Sequence, residues 1–557
     1  MIESADAVVE GALLEADVCI VGAGAAGISM ALSLSGQGLQ VLLLEAGQAG
    51  FDAPTQDLYA GDVADARMHS PPDKYRQRRL GGSTTLWGGR CMPFDPIDFE
   101  ARDCVPGSGW PISHADVAPF YPAANEWLEA GECAYDARQA FTPPAPPMFA
   151  GFASDTLLAE GLERFSCPTD LGQRYRARLA AAADVRVLLR ANCTGIRLKP
   201  DSSRVDVLNV ATLAGRRFKV QATRVVLAVG GLETARLLLA SNDVSPHGVG
   251  NAHDVVGRYY MCHIAGNVGS LQINGPPSGV RHGYEVSAEG IYCRRRLQLS
   301  EAEQRRLGVS NAVARLHFPK ITDPSHRSGV LSGLFMARFF IGYEYGKRLK
   351  DGGGEGFVAT ARHLWNLVSD PIDTLAFAWH WLTRRTLAER KFPSVILRNK
   401  TNRFSLEVQA EQIPRADSRV TLSDTRDALG MPRLSVDWRY GPDDIAAVRK
   451  TLHAIALAFA QSGVGNYEFD EAGLEAELMR FGAYGGHHIG TARMGLDRQT
   501  SVVDADCKLH GVANLYIASS AVFATSSQAN PTLMIVALGL RLAAHLQQLS
   551  SSTEGPA

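Results

Sequence analysis

"ADVCIVGAGAAGISMALSLSGQGLQVLLLEAG", Ala16 to Gly47, is the stretch on which the fold turns. Val18 to Val21 is a short apolar run suited to a strand buried on both faces. Gly22, Gly24 and Gly27 follow in GxGxxG spacing, and a helical pattern then runs to Leu34. A second apolar run, Val41 to Leu44, ends at Glu45. Strand, glycine turn, helix, strand and acid in this order make a dinucleotide-binding unit. Gly22 permits the tight turn, Gly24 lets backbone approach a pyrophosphate, and Gly27 lets helix and strand close up. The helix N-terminus offers unpaired N–H groups and a positive dipole end to the phosphates. Glu45, 18 residues past Gly27, is placed to accept hydrogen bonds from an adenosine ribose, and its charge disfavours a 2′-phosphate. On this motif alone FAD and NAD both remain open.

Around that unit the chain extends to 557 residues, more than one compact core holds, so two or three domains are expected. The net charge of −2 and the lack of a basic stripe argue against a nucleic-acid partner. The first residues carry acids and no basic run, unlike a secretory signal, and Val18 to Gly24 is too short and glycine-rich to span a membrane. Nine dispersed cysteines read as free thiols, which places the chain in the cytoplasm by expectation and argues against an iron–sulfur cluster.

Further blocks return to the same nucleotide layer. "RLGGSTTLWGGRCMPFDPIDFE", Arg79 to Glu100, brackets hydroxyls and a tryptophan between two glycine pairs, and small residues of this kind let extended backbone pass close under a cofactor. "VRVLLRANCTGIRL" reads as a strand pair feeding the first sheet, and "RVVLAVGGLETARLLLAS", Arg224 to Ser241, as a buried strand, a turn and a helix. "VANLYIASSAVFATSSQANPTLMIVALGLRLAAHL" is a strand, a loop and a long apolar helix from about Thr532.

These blocks, with "GGHHIGTARMG" at Gly485 to Gly495, resemble the glucose–methanol–choline (GMC) flavin oxidoreductases over nearly the whole chain, and most of all their sugar-oxidising branch. The resemblance implies an α/β fold: a Rossmann-like FAD-binding domain from discontinuous segments (1–110, 185–255 and 478–557) and an α+β substrate domain with a mainly antiparallel sheet (111–184 and 256–477). It implies FAD as cofactor, with contacts at Gly22, Gly24, Gly27, Glu45, Gly81, Gly82, Ser83, Thr84, Trp87, Gly88, Cys193, Ser519, Ser520, Asn530 and Thr532. Leu86 stands where sugar-oxidising relatives carry a histidine bonded to the flavin, so non-covalent binding is expected. Trp87 and Ser519 also depart from the Asn and Asp of many relatives.

Flavin-dependent alcohol oxidation needs a base for the hydroxyl proton, a hydride path to flavin N5, and a donor that holds the oxygen. Imidazole suits the first task near neutral pH. Neighbouring residues on an extended segment point to opposite faces, so His487 and His488 cannot both meet one hydroxyl. In the family pattern the histidine four residues before the threonine of "GT" is the base, which is His487, and its partner before Pro-Thr is Asn530. His488 reads as a packed or supporting histidine, with lining of the substrate site as the alternative, and Gln412 as a substrate contact. No ligand spacing points to a metal: adjacent histidines chelate poorly and no HxxxH follows.

The reaction that the resemblance implies is oxidation of a secondary ring hydroxyl of a sugar or glycoside, with electrons passed to O2 or another acceptor. The alternatives are a GMC enzyme of a non-sugar alcohol such as a sterol or primary alcohol, or a non-redox FAD-binding lyase or scaffold. Between 356 and 392 lies an aromatic helical segment, broken by Pro371 and ending in Arg384, Arg385, Arg390 and Lys391. It is read as an insertion over the site or at a subunit interface; a basic amphipathic helix on a membrane is the less expected reading. Lys350 to Gly356 reads as a hinge or exposed loop and the tail from Ser550 as disordered.

Overall fold

The expected nucleotide unit is built from the strand Leu13–Val21, the helix Ala25–Leu34 and the strand Val41–Glu45. The computed structural model describes residues 1–318, 321–340, 356–397, 399 and 401–551; Lys350 to Glu355 and the tail beyond Ser551 lie outside them. Two of the three glycines are packing glycines. A Cβ on Gly22 would sit 2.6 Å from the carbonyl oxygen of Ala228, and one on Gly27 would sit 1.9 Å from that of Gly22. A methyl at either place would force strand and helix apart.

The first sheet has eight strands. Parallel pairing runs from Ile2–Ser4 through Val185–Leu189, Val41–Glu45 and Leu13–Val21 to Arg217–Leu227, which also pairs in parallel with Leu515–Ile517. Val205–Ala211 and Asn192–Leu198 continue it antiparallel. Strands from both ends of the chain thus share one sheet, as the returning motifs implied. The helix Thr532–Ser551 covers it beside Ala25–Leu34, where Gly539 leaves room: a Cβ there would lie 3.4 Å from Met30 Cγ. Its apolar length is used in the core, with Leu533, Val536 and Ala537 fully buried.

The second sheet has nine strands, in which Met261–Ile273, Arg403–Glu411, Ala312–His317, Tyr292–Leu299 and Leu157–Phe165 pair antiparallel in that order. Arg90–Cys91 and Tyr484–Ile489, from the stretches expected to hold cofactor, pair into this sheet and join the two halves. Directly opposed residues share a face. Gln409 lies opposite Ala265, Glu407 opposite Arg315, and Glu411 opposite His263. This face carries buried charge, including the fully buried pair Arg315 and Glu163, with Arg294 bonded to Glu407 at 3.3 Å. Breaking one partner of such a pair would leave an uncompensated buried charge.

Candidate active site

The cofactor residues fall into two groups by what their backbone leaves open. A Cβ on Gly24, Gly88 or Gly230 would meet nothing within 4 Å, so backbone is bare at all three. A Cβ on Gly82 would come 3.1 Å from Gly24 Cα, so the second glycine pair lies directly on the first turn. Gly81 N–H donates to the carbonyl of Ala23 at 2.9 Å and fixes that contact. Gly81 and Gly82 have φ of 92° and 53°, a region open to glycine at little cost. Bare backbone along a helix N-terminus fits a pyrophosphate-bearing cofactor.

Other expected contacts are held by the protein itself. Glu45 is buried and accepts from Ala23 N–H at 2.9 Å and Gly47 N–H at 2.8 Å, which clamps the turn and leaves each oxygen one lone pair. Burial pushes its carboxyl above the usual range against these hydrogen bonds. Thr84 donates to the Gly81 carbonyl at 2.6 Å, Trp87 Nε1 donates to that of Thr169 at 2.9 Å, and Ser83 is exposed. Leu86 is half-buried beside Trp87. Cys193 is buried, which pushes its thiol up to about 12. Ser519 Oγ accepts from Ala521 N–H at 3.2 Å, Ser520 Oγ donates to the His488 carbonyl at 2.6 Å, and Thr532 opens the last helix.

The histidine doublet divides as alternation requires. Gly485 and Gly486, with φ of 71° and 67°, let the strand turn under it: a Cβ on Gly485 would touch His487 at 3.2 Å and one on Gly486 would strike Tyr75 at 2.2 Å. His487 then points to one side and His488 to the other.

On the His487 side the hydrogen-bond polarity is fixed by a backbone carbonyl, which can only accept. Gln409 Nε2 donates to the Gln528 carbonyl at 2.7 Å, and its second proton goes to Asn530 Oδ1 at 3.1 Å. The Asn530 amide is thereby oriented with Nδ2 donating to His487 Nε2 at 3.3 Å. His487 Nε2 therefore holds a lone pair, and its proton sits on Nδ1, donated to His263 Nδ1 at 2.7 Å. His263 is fully buried, and burial holds its pKa down to about 4 against backbone groups at Ser527, Ser526 and Ala529, so it stays neutral near pH 7. His487 and Asn530 are half-buried, whereas Gln409 is closed off.

On the other side His69 Nδ1 donates to the Ser70 carbonyl at 2.6 Å. With Nδ1 as the donor, His69 Nε2 accepts from the Tyr260 hydroxyl at 2.8 Å. Tyr260 in turn accepts from His488 Nδ1 at 2.6 Å. Burial drives the His488 pKa well below the ordinary value, with help from Arg76, His69 and His487. His69, Cys262 and His488 turn ligand atoms to within 4.8 Å of one another, but the Tyr260 hydroxyl bonds to all three. The Tyr260 hydroxyl thus joins the group in one hydrogen-bond network, while His488 Nε2 is buried without a hydrogen-bond partner.

Gln412 is not brought to His487. Its Oε1 accepts from Cys262 N–H at 2.8 Å and Trp438 Nε1 at 2.9 Å, and its Nε2 donates to the Arg439 carbonyl at 2.7 Å. Buried, it ties these segments together. Gln409, three residues earlier and so on the other face of its strand, takes the place beside Asn530. His263, Gln409, Tyr260 and His69 had no sequence signal of their own; each lies far along the chain from the doublet.

A glycine-lined dinucleotide turn and a histidine–asparagine pair in one chain match what a flavin-dependent alcohol oxidoreductase requires. Residues 17–298 match the model of FAD dependent oxidoreductases and residues 414–539 that of the GMC oxidoreductase C-terminal part. The chain belongs to the FAD-dependent oxidoreductases and, within them, to the GMC family. It is 26% identical to 6'''-hydroxyparomomycin C oxidase of Streptomyces lividus, covering 95% of this chain and 92% of that one. It is 25% identical to the fructose dehydrogenase large subunit of Gluconobacter japonicus, covering 95% and 97%. A fungal aryl-alcohol oxidase shares the fold with a TM-score of 0.53 at 15% identity, over 96% of this chain and 99% of that one.

Proposed function

We propose that the enzyme oxidises a secondary ring hydroxyl of a sugar or glycoside to a ketone. The observation that carries this reading is His487 Nε2 facing the amide nitrogen of Asn530 at 3.3 Å. A hydroxyl entering there gives its proton to His487 Nε2 while Asn530 Nδ2 donates to the same oxygen and steadies its alkoxide character. His263 accepts from His487 Nδ1–H throughout, so the imidazolium that forms keeps a neutral acceptor behind it. Bound FAD supplies the hydride acceptor. The bare backbone at Gly24, with Gly82 packed against it, would hold its pyrophosphate, and Glu45 would reach its ribose with its free lone pairs.

The sugar-type substrate is favoured by the names of the two relatives above, one acting on an aminoglycoside and one on fructose. One is an oxidase and the other a dehydrogenase, so the acceptor is O2 or another oxidant. Leu86 at the expected linkage position favours non-covalent flavin, which acid precipitation would release. The free cysteines, six of them buried, favour a cytoplasmic enzyme.

Anaerobic mixing with a panel of free sugars, glycosides, sterols and primary alcohols, followed by air, tests the reading. Bleaching of the flavin by a sugar or glycoside, with a ketone as product, is expected; bleaching by a lipid or simple alcohol alone would overturn it. Recovery of colour in air identifies O2 as the acceptor.

A further inference from the structure

The helices Phe357–Ser369 and Pro371–Trp381 are inside out. In the first, the buried positions are polar: His363 hydrogen-bonds Ser332 at 3.0 Å and Asn366 donates to the Pro324 carbonyl at 2.9 Å. Its apolar stripe, including Leu364, Trp365 and Val368, faces away from the protein. The second helix buries no residue and exposes Ile372, Leu375 and Trp379 at helical spacing. Of the 21 exposed large apolar residues among the described residues, ten lie between Phe357 and Leu387, so this is one patch and no ordinary scatter. Trp365 and Trp379 are each 69% exposed.

The hairpin is anchored at its far end. Phe392 packs edge-on to Tyr284 and Tyr292 with centroids 5.0 and 5.4 Å apart, Lys391 N–H donates to the Cys167 carbonyl at 2.8 Å, and Arg390 donates to that of Phe165 at 3.0 Å. The apolar stripes are therefore held outward by a fixed base.

Charge selects the occupant. Residues 356–392 hold five basic and three acidic side chains, a balance of +2, whereas the whole chain is −2, which leaves −4 for the rest. Arg362, Arg384 and Lys391 are exposed around the patch. A second copy docked face to face would set these cations against their own kind. Anionic lipid headgroups would neutralise them while the tryptophans and aliphatic side chains enter the interface.

We propose that this hairpin docks the enzyme on an anionic lipid surface as a peripheral, non-spanning contact. The exposure of both stripes reverses the preference stated from the sequence, where membrane contact was not expected. The inference is independent of the catalytic reading, since it is read without turnover.

Flotation of the full-length flavoprotein with vesicles of phosphatidylglycerol and phosphatidylcholine tests it. The expected result is binding to the mixed vesicles, weak binding to phosphatidylcholine alone, and a blue-shifted tryptophan emission on binding. Neutralising Arg362 or Arg384 with glutamine should weaken the partition roughly fivefold for each arginine. Trp365→Ser with Trp379→Ser should abolish it with the flavin spectrum unchanged, which shows that the fold is kept. Absence of binding to either vesicle would overturn the proposal. In that case a concentration-dependent dimer in light scattering that the double variant loses would assign the face to a second copy.

Discussion

The two sides of one strand hold two histidine networks that differ in how they end. Behind His488 the donors run inward: His488 gives its proton to Tyr260, Tyr260 to His69, and His69 to a backbone carbonyl, while His488 Nε2 is buried without a hydrogen-bond partner. Beside His487 the donors run outward: from Gln409 through Asn530 to His487 Nε2, which accepts at a half-buried position. An acceptor nitrogen alone thus does not distinguish a reactive imidazole from a structural one. Direction does, and here a single backbone carbonyl, that of Gln528, sets it.

The comparison breaks most severely at His487. His487→Ala should slow anaerobic flavin reduction by about 10²- to 10⁴-fold with FAD retained, whereas His488→Ala should alter it only a few-fold. Asn530→Ala should cost about 10²-fold in the same measurement, because one donor to the developing oxyanion is lost. Gln409→Leu removes the lock on the Asn530 amide without touching a substrate, and a fall of roughly tenfold is expected. A rate equal to wild type would mean that the amide is oriented by something else.

His488→Ala should act on stability. It leaves a cavity and a tyrosine hydroxyl without its donor, for a loss of about 2–4 kcal/mol in denaturant unfolding. The smallest effect expected is in the pH dependence of that stability. His263 titrates near 4 in the folded chain because of burial, against about 6.5 unfolded. Between these values the unfolded state binds the extra proton, so this contribution is complete above about pH 6.5 and is lost as pH falls toward 4. His263→Asn should flatten that part of the profile relative to wild type; an unchanged slope would assign the acid sensitivity to other groups.

What the sequence disclosed follows from linear spacing. The glycine turn, its flanking strands and the returning blocks at Arg224 and Leu515 each write their geometry into a few neighbouring residues, and all of them entered the expected sheet. The divergence of His487 and His488 was legible for the same reason, since alternation along a strand is local. The partners were not legible. His263 meets His487 from a strand 224 positions away, and nothing near either residue announces the pairing. Gln412 and Gln409 show the limit well: strand periodicity places them on opposite faces, but which face looks toward Asn530 is decided by the sheet. Glu45 is a milder case, at its expected place yet clamped on two backbone N–H groups as well. The inside-out hairpin was visible only as an aromatic, basic segment, because helical pattern does not say which stripe is buried.

The most direct measurement of the central claim is chemical rescue of the His487→Ala holoenzyme. Anaerobic flavin reduction by a glycoside that reduces the wild type should be nearly absent in this variant and should return on addition of imidazole, in proportion to its free base. Reduction at the wild-type rate without imidazole, with FAD still bound, would contradict His487 as the base.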